Sequence, residues 1–448
     1  MKRPPKSRNW STQLARRRAA SWNALGAHSH PLRHPRPLLP IAAALAALLA
    51  LAALATESAH AQTFQVIHNF SGAQDGATPQ AGLTMDRAGN LYGTANYGGN
   101  AGGDCGVAGC GSVFRLTKKN GNWVLSPLYD FAGGNDGSNP QSANVVINSD
   151  GSLFSSTFLG GQGCTGQGCG TVFKLQPPAS VCKTAICLWN ETVLHRFSGL
   201  DGIGPVGALV FDQSGNLDGV TNSGGLEQGG TVYQLNATGW QESVLAHPYG
   251  YPGSGVTLDH AGNLYGSTFV GGNNYGSVYR LVFTASGWVA TNIYEFANGS
   301  DGAYPRAGVI LDVEGNLYGA TSVGGSRQGG TIFKLSPSGD SWTLTTLYSF
   351  PNPNNGQTVV GPIGSLAMDG AGNLYGTTVV DGAQGYGAVF KLTPSDGGWA
   401  YTSLHDFTNG DDGAFPYSNL VFDSAGNIYG TASGGGANGH GVVFEITP

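Results

Sequence analysis

From residue 62 onward, the apolar and polar positions fall into short alternating runs separated by glycine-rich turns, and no long stretch keeps a 3.6-residue apolar period. This pattern predicts strands and almost no helix. The runs also recur. A unit of the form Asp-x-x-Gly-Asn-Leu-Tyr-Gly begins at Asp86, Asp259, Asp312 and Asp369, with variants at Asp212 (Asp218 in the Tyr place) and Asp423 (Ile428 in the Leu place). A degenerate seventh copy runs from Asn148 to Phe154, and the mean spacing is about 56 residues. In each copy an apolar strand a ends at the Asp, a tight turn follows with Gly supplying positive φ, and strand b opens with Leu-Tyr-Gly. Strand c reads Gly-Ser-Val-Phe-Arg-Leu (111–116) or a relative of it. Strand d starts at Trp123, Trp189, Trp240, Trp288, Trp342 or Trp399 and, except in the copy after Trp240, ends in Tyr or His followed two residues on by Phe.

Four strands per unit at this period is the spacing of a β-propeller. The fold class expected is all-β, a seven-bladed β-propeller with four-stranded blades. The segment Phe64–Phe70 matches the end of a strand d, with His68 and Phe70 in register, and the last strand, 441–446, is a strand c. The N-terminal strand therefore completes the last blade, and closing the ring this way leaves no free sheet edge at the seam.

The repeat resembles the GloVer-type tandem repeat of choice-of-anchor exported bacterial proteins, through its D-x-x-G-N-[LI]-Y-G units and G-[ST]-[VI]-[FY]-[KR]-L strands, over essentially all of residues 62–448. The resemblance implies a cell-surface or extracellular protein, often with a C-terminal sorting signal, and brings no activity that transfers residue by residue. This sequence ends on a propeller strand with no hydrophobic tail, so attachment through such a signal is not expected.

The first sixty-one residues differ in composition. They hold nine of the 21 Lys and Arg, one acid (Glu57), an apolar run from Leu38 to Ala55, and the small-x-small site Ala59-His60-Ala61. They read as a signal peptide with a long basic leader, residues 1–61, followed by one domain, residues 62–448. The protein is expected to be exported, to an extracellular, surface or periplasmic location. Without that segment 12 basic and 26 acidic residues remain, about −14 in net charge, which argues against nucleic acid or a membrane surface as partner.

Six cysteines fall in three pairs of one spacing, Cys105/Cys110, Cys164/Cys169 and Cys182/Cys187, and are expected as three local disulfides. No nucleophile elbow, H-E-x-x-H or EF-hand loop is present, and Gly161–Gly166 matches a dinucleotide motif only formally, since it lies in a β-hairpin loop. The b–c loops and the d-to-a connections share one face and carry the variable material, so ligand binding is expected there. On that face Asp75, Asp136, Asp201, Asp301 and Asp412 each stand in an Asp-Gly-x-x-Pro connection. They are candidate ligand-binding carboxylates, but Asp-Gly followed by Pro is first of all good turn chemistry. One per blade around a ring is a poor Ca²⁺ site, because Ca²⁺ takes six to eight adjacent oxygens, so no metal or cofactor is expected. His68, His195 and His405 alternate with Tyr and are expected to pack or hydrogen-bond. The function expected is non-enzymatic binding of a glycan or an extracellular protein by a monomer. The alternative is a propeller hydrolase or lyase acting on a lactone or polysaccharide at the channel mouth, its site drawn from the pattern-breaking residues Asp218, Asn222, Glu227, His247, Asp381 and His440.

Overall fold

The structure is a computed structural model, described over residues 62–99, 102–141, 144–164, 166–178, 187–352 and 361–448. The expected leader, residues 1–61, and Cys182 lie outside these residues. The described strands form seven antiparallel sheets, each the blade of a seven-bladed propeller. In a-b-c-d order, blade 1 is Thr84–Met85, Leu91–Ala95, Ser112–Lys119 and Asn122–Asp130, and blade 2 is Val146–Ile147, Leu153–Thr157, Thr171–Gln176 and Asn190–Arg196. Blade 3 is Ile203–Phe211, Leu217–Ser223, Thr231–Leu235 and Glu242–Ala246, and blade 4 is Thr257–Leu258, Leu264–Gly271, Ser277–Thr284 and Gly287–Glu295. Blade 5 is Ile310–Leu311, Leu317–Thr321, Gln328–Ser338 and Ser341–Pro351, and blade 6 is Ala367–Met368, Leu374–Thr378, Ala388–Ser395 and Gly398–Asp406. Blade 7 takes Val421–Phe422, Ile428–Ala432 and Val442–Thr447 from the end of the chain and Thr63–Asn69 from its start. The seam pairs Thr63 with Thr447 and Asn69 with Val442, as the offset of the repeat requires.

The repeated Asp fixes each a–b turn. In blade 5, Asp312 Oδ1 accepts the N–H groups of Glu314 and Asn316, at 2.9 and 2.8 Å, and Oδ2 accepts the Asn316 amide and the Tyr318 hydroxyl, at 2.7 and 3.1 Å. Asp86, Asp259, Asp369 and Asp423 repeat this set. The four acceptor positions of one carboxylate thus hold the turn, the Asn and the Tyr of the motif.

Strand c is apolar at consecutive positions because both faces of a blade are covered by its neighbours. Phe114 enters the cluster shared with blade 7, whereas Val113 enters the cluster shared with blade 2. Seven such clusters of buried residues occupy the seven blade interfaces. At six of them the Phe after strand d meets the strand-c aromatic of the next blade edge-on: Phe70–Phe114, Phe131–Phe173, Phe197–Tyr233, Phe296–Phe333, Phe350–Phe390 and Phe407–Phe444, with centroids 4.9–5.5 Å apart. A β-bulge in every c–d pair brings this about. It leaves Ile67, Leu128, Leu194, Leu245, Ile293, Leu347 or Leu404 unpaired, packed into the interface, and resets which side chains of the strand face the neighbour.

Between blades 3 and 4 the sequence lacks that Phe. There Gly250–Pro252 adds a fifth strand to blade 4, pairing with its strand b from Gly271 to Thr268, and carries the connection across the interface.

The Gly of Leu-Tyr-Gly follows from the same packing. A methyl group built on Gly93, Gly319, Gly376 or Gly430 would stand 2.5–2.7 Å from the ring of Phe114, Phe333, Phe390 or Phe444 on the adjoining strand c. Blade 2 places Ser155 in this position. Gly319→Val is therefore expected to lower stability by about 1–3 kcal/mol through overpacking. Gly319→Ser, which copies blade 2, is expected to lower it less. Equilibrium urea unfolding of the two variants measures the difference.

Candidate functional site at the channel mouth

A proline stands ahead of strand a in six blades, at positions 79, 140, 252, 305, 362 and 416, and within it in blade 3, at 205. The residue before it has positive φ in five blades: Thr78, Asn139, Gly204, Tyr304 and Phe415, at 54–63°. Thr and aromatic residues seldom adopt this conformation, and two backbone hydrogen bonds hold them in it. Tyr304 N–H donates to the Tyr275 carbonyl at 2.8 Å, and its own carbonyl accepts from Ser322 N–H at 3.2 Å; Phe415 repeats the arrangement with Tyr386 and Ser433. Two of the side chains so placed are half-buried aromatics, Tyr304 beside Tyr275 and Phe415 beside Tyr386, at 6.1 and 5.8 Å between centroids.

The residue after the proline points to the channel. Gln80, Gln141, Gly253, Arg306, Ile363 and Tyr417 occupy this place in six blades and line a central cavity of about 300 Å³. Asn144 and Asn419 line it too and tie three blades together: Gly82 N–H donates to Asn144 Oδ1 at 2.8 Å, and the Asn144 amide donates to Asn419 Oδ1 at 2.7 Å. The lining is amide, hydroxyl, glycine and aliphatic carbon, with Arg306 as its one charged side chain; the guanidinium rests 5.0 Å from the Phe269 ring. Gln141 also borders a second cavity, of about 620 Å³, between the b–c loops of blades 1 and 2. Tyr97, Asp104, Asn139, Phe158, Gln162 and Gln167 are among its walls. Both loops are cross-linked, by Cys105–Cys110 and Cys164–Cys169. Cys187 is also disulfide-bonded, while its expected partner Cys182 lies outside the described residues.

The five aspartates of the Asp-Gly connections lie apart from both cavities. Each closes its own connection. Asp75, Asp201 and Asp412 accept from His68, His195 and His405 Nε2 at 3.1, 2.8 and 3.0 Å, and Asp136 and Asp301 accept from the hydroxyls of Tyr129 and Tyr294 at 3.1 and 3.2 Å. Each also accepts a backbone N–H of its turn. The alternation of His and Tyr in the sequence is thus an exchange of one donor for another. In Asp75 and Asp201 burial works against the carboxylate, but these hydrogen bonds outweigh it and hold both below the usual range.

The six pattern-breaking residues do not meet. Asp218 is buried in strand b of blade 3, where Gln234 Nε2 donates to it at 2.8 Å. Asn222 donates to the Pro252 carbonyl, His247 Nδ1 faces the Gly230 carbonyl, and the His440 ring packs over Gly72. Glu227 is an exposed loop residue of blade 3, and Asp381 stands in the b–c loop of blade 6. None of the six lines the channel cavity. The channel-lining residues escaped sequence reading because only their repeat position, one past each proline, marks them; their types vary from blade to blade.

The sequence profile of the Gloeobacter/Verrucomicrobia repeat matches the chain in four overlapping segments, residues 54–189, 105–287, 145–357 and 251–448. No curated protein matches it. Among solved structures, the chain is similar to the extracellular domain of a chain described as a hybrid two-component system from B. thetaiotaomicron, at 12% identity and a TM-score of 0.52, over 85% of this chain and 39% of that one. It is also similar to a gluconolactonase from Xanthomonas campestris, at 16% identity and a TM-score of 0.40, over 74% of this chain and 89% of the other. These likenesses bear on the fold alone.

Asp218 gives the interior a pH dependence. Burial pushes its carboxyl up to about 7, with Asp212 adding to the rise and Gln234 opposing it. The folded state therefore holds a proton that the unfolded state has released above the ordinary Asp range. This favours folding at low pH, and the contribution is lost as pH rises from about 4 through 7. Asp218→Asn keeps the shape and removes the titration. Thermal unfolding between pH 5 and 8 should show a shallower decline in Tm for the variant than for the wild-type protein; parallel curves would show that Asp218 does not titrate in this range.

Proposed function

The chain belongs to the Gloeobacter/Verrucomicrobia repeat family, and from the chemistry of its channel mouth we propose that its propeller is an extracellular glycan-binding module. The observation that carries this reading is the lining of the channel cavity. Amides and hydroxyls from Gln80, Gln141, Asn144, Ser254, Tyr417 and Asn419 offer paired donors and acceptors, and the Tyr417 ring offers an aromatic face. Sugars present hydroxyls at their edges and C–H surfaces on their faces, so such a lining suits both. A cavity of about 300 Å³ is at the small end of ligand pockets and suits one end of a chain whose next units follow the groove beside Gln141. The left-handed residues and the two disulfides hold these groups in place before a ligand arrives, which reduces the entropy lost on binding. The disulfides also fit an exported protein.

Hydrolysis or elimination calls for a side chain that moves a proton at the bond being broken. Among the described residues the channel lining contains no Asp, Glu, His, Lys or Cys.

Screening the purified protein against an oligosaccharide array, followed by calorimetry on the hits, tests the reading. Tyr417→Ala and Gln141→Ala are each expected to weaken binding about tenfold or more, roughly 1.4 kcal/mol, with Tm unchanged. Absence of any glycan hit, or wild-type affinity in both variants, overturns it. Release of reducing ends or unsaturated sugars from a hit would establish the hydrolase or lyase alternative instead.

A further inference from the structure

One interface between blades differs from the other six in its ionisable groups. The residue two past the Trp place on strand d leans toward the strand-d end of the preceding blade, as Phe64 stacks on His405 at 3.6 Å and Tyr401 on Tyr348 at 4.8 Å. In blades 1, 4 and 5 this residue is Leu125, Ala290 and Leu344; in blades 2 and 3 it is Glu191 and Glu242. Glu191 stands beside blade 1, whose strand d ends in Tyr129. Glu242 stands beside blade 2, whose strand d ends in His195. Among the described residues a Glu and a His coincide at this position only between blades 2 and 3.

The result is a compact set of donors. His195 Nε2, an Asp201 carboxylate oxygen and a Glu242 carboxylate oxygen all lie within 4.8 Å of one another, with His195 and Asp201 2.8 Å apart. The three residues are half-buried and come from three separate elements: strand d of blade 2, the connection that follows it, and strand d of blade 3. His195 and Asp201 satisfy each other, and Ser198 adds its N–H and hydroxyl to Asp201. Glu242 is different. Its Oε1 is buried and has no hydrogen-bond partner. A buried carboxylate oxygen without a donor is costly unless something positive meets it. The interface between blades 6 and 7 shows that this is not a requirement of the fold, since Phe64 fills the corresponding place against the His405–Asp412 pair with a ring.

We propose that His195, Asp201 and Glu242 form a binding site for a divalent transition-metal ion of the Zn²⁺ class on the outer rim of the propeller, between blades 2 and 3. One imidazole nitrogen and two carboxylates are a ligand set for Zn²⁺, Co²⁺ or Mn²⁺, whereas Ca²⁺ takes oxygens only. Tetrahedral ligands about 2.0–2.2 Å from Zn²⁺ stand roughly 3.3 Å apart, so the His195–Asp201 pair, 2.8 Å apart, opens slightly and Glu242, within 4.8 Å of both, closes by at most about 1.5 Å. In the metal-bound form His195 carries its proton on Nδ1 and presents the Nε2 lone pair. Three protein ligands leave a fourth position for water or for an exogenous donor. The site is separate from the channel mouth and independent of the glycan reading.

The repeat itself supplies substitutions that the fold accepts. Glu242→Leu places the residue of blades 1 and 5, and His195→Tyr places the donor of blades 1, 4 and 5, which keeps a hydrogen bond to Asp201. The purified protein, stripped with EDTA, is titrated with Zn²⁺ by calorimetry and with Co²⁺ by visible absorption. The expected result is one Zn²⁺ per chain, a tetrahedral Co²⁺ spectrum, and a Tm raised by Zn²⁺ but not by Ca²⁺. Glu242→Leu and His195→Tyr are each expected to lose at least tenfold in Zn²⁺ affinity while melting as the stripped wild type does, and Glu191→Leu is expected to bind as wild type. Failure of the wild-type protein to bind one Zn²⁺ per chain overturns the proposal. So does equal binding by both site variants, which would assign the ion to histidines elsewhere in the chain.

Discussion

The edge-on contact between the Phe that follows strand d and the strand-c aromatic of the next blade is the interaction on which the rest of this propeller depends. It recurs at six interfaces, and other features of the repeat serve it. The Gly of Leu-Tyr-Gly leaves room for the strand-c ring, and the bulge in every c–d pair sets which residues of strand d reach the neighbour. The His or Tyr two residues before the Phe bonds to the Asp-Gly aspartate and so fixes where the chain leaves one blade for the next. Where the Phe is missing, between blades 3 and 4, a short added strand carries the chain across.

A scaffold held at each joint in this way can vary where nothing packs. In six blades the residue one past the proline lines the channel, and it differs in type from blade to blade: Gln80, Gln141, Gly253, Arg306, Ile363 and Tyr417. The Asp-Gly aspartates are at least as exposed to sequence reasoning, yet each is occupied within its own turn. Carboxylates that recur with the repeat serve the repeat, and the chemistry that distinguishes this protein sits where the repeat does not repeat.

Blades 2 and 3 concentrate the departures that carry ionisable groups. Glu191, Asp218 and Glu242 replace residues that are apolar or aromatic at the same positions in other blades. Burial pushes Glu191 and Asp218 up to about 7 and also raises Glu242. In Glu191 the nearby Asp136 adds to the rise, and in Glu242 the imidazole of His195 opposes it. A ring of seven similar blades thus has one sector whose interior carries carboxyl groups raised by burial.

The sequence by itself determined the architecture. Seven spaced copies of Asp-x-x-Gly-Asn-Leu-Tyr-Gly, strand c's apolar pairs and the split last blade specify local turns, alternation and closure, and these follow from short-range chemistry that is visible in one dimension. Two of the three local cysteine pairs, Cys105–Cys110 and Cys164–Cys169, were legible for the same reason. Tertiary structure alone decided which polar residues meet. Glu242 is forty-seven positions from His195, and Asn419 is 275 from Asn144; the ring brings each pair together through the lean of one blade on the next. The channel cavity is likewise assembled from one or two residues per blade. No run of sequence records that arrangement, because it is created by closure of the ring and not by any single strand.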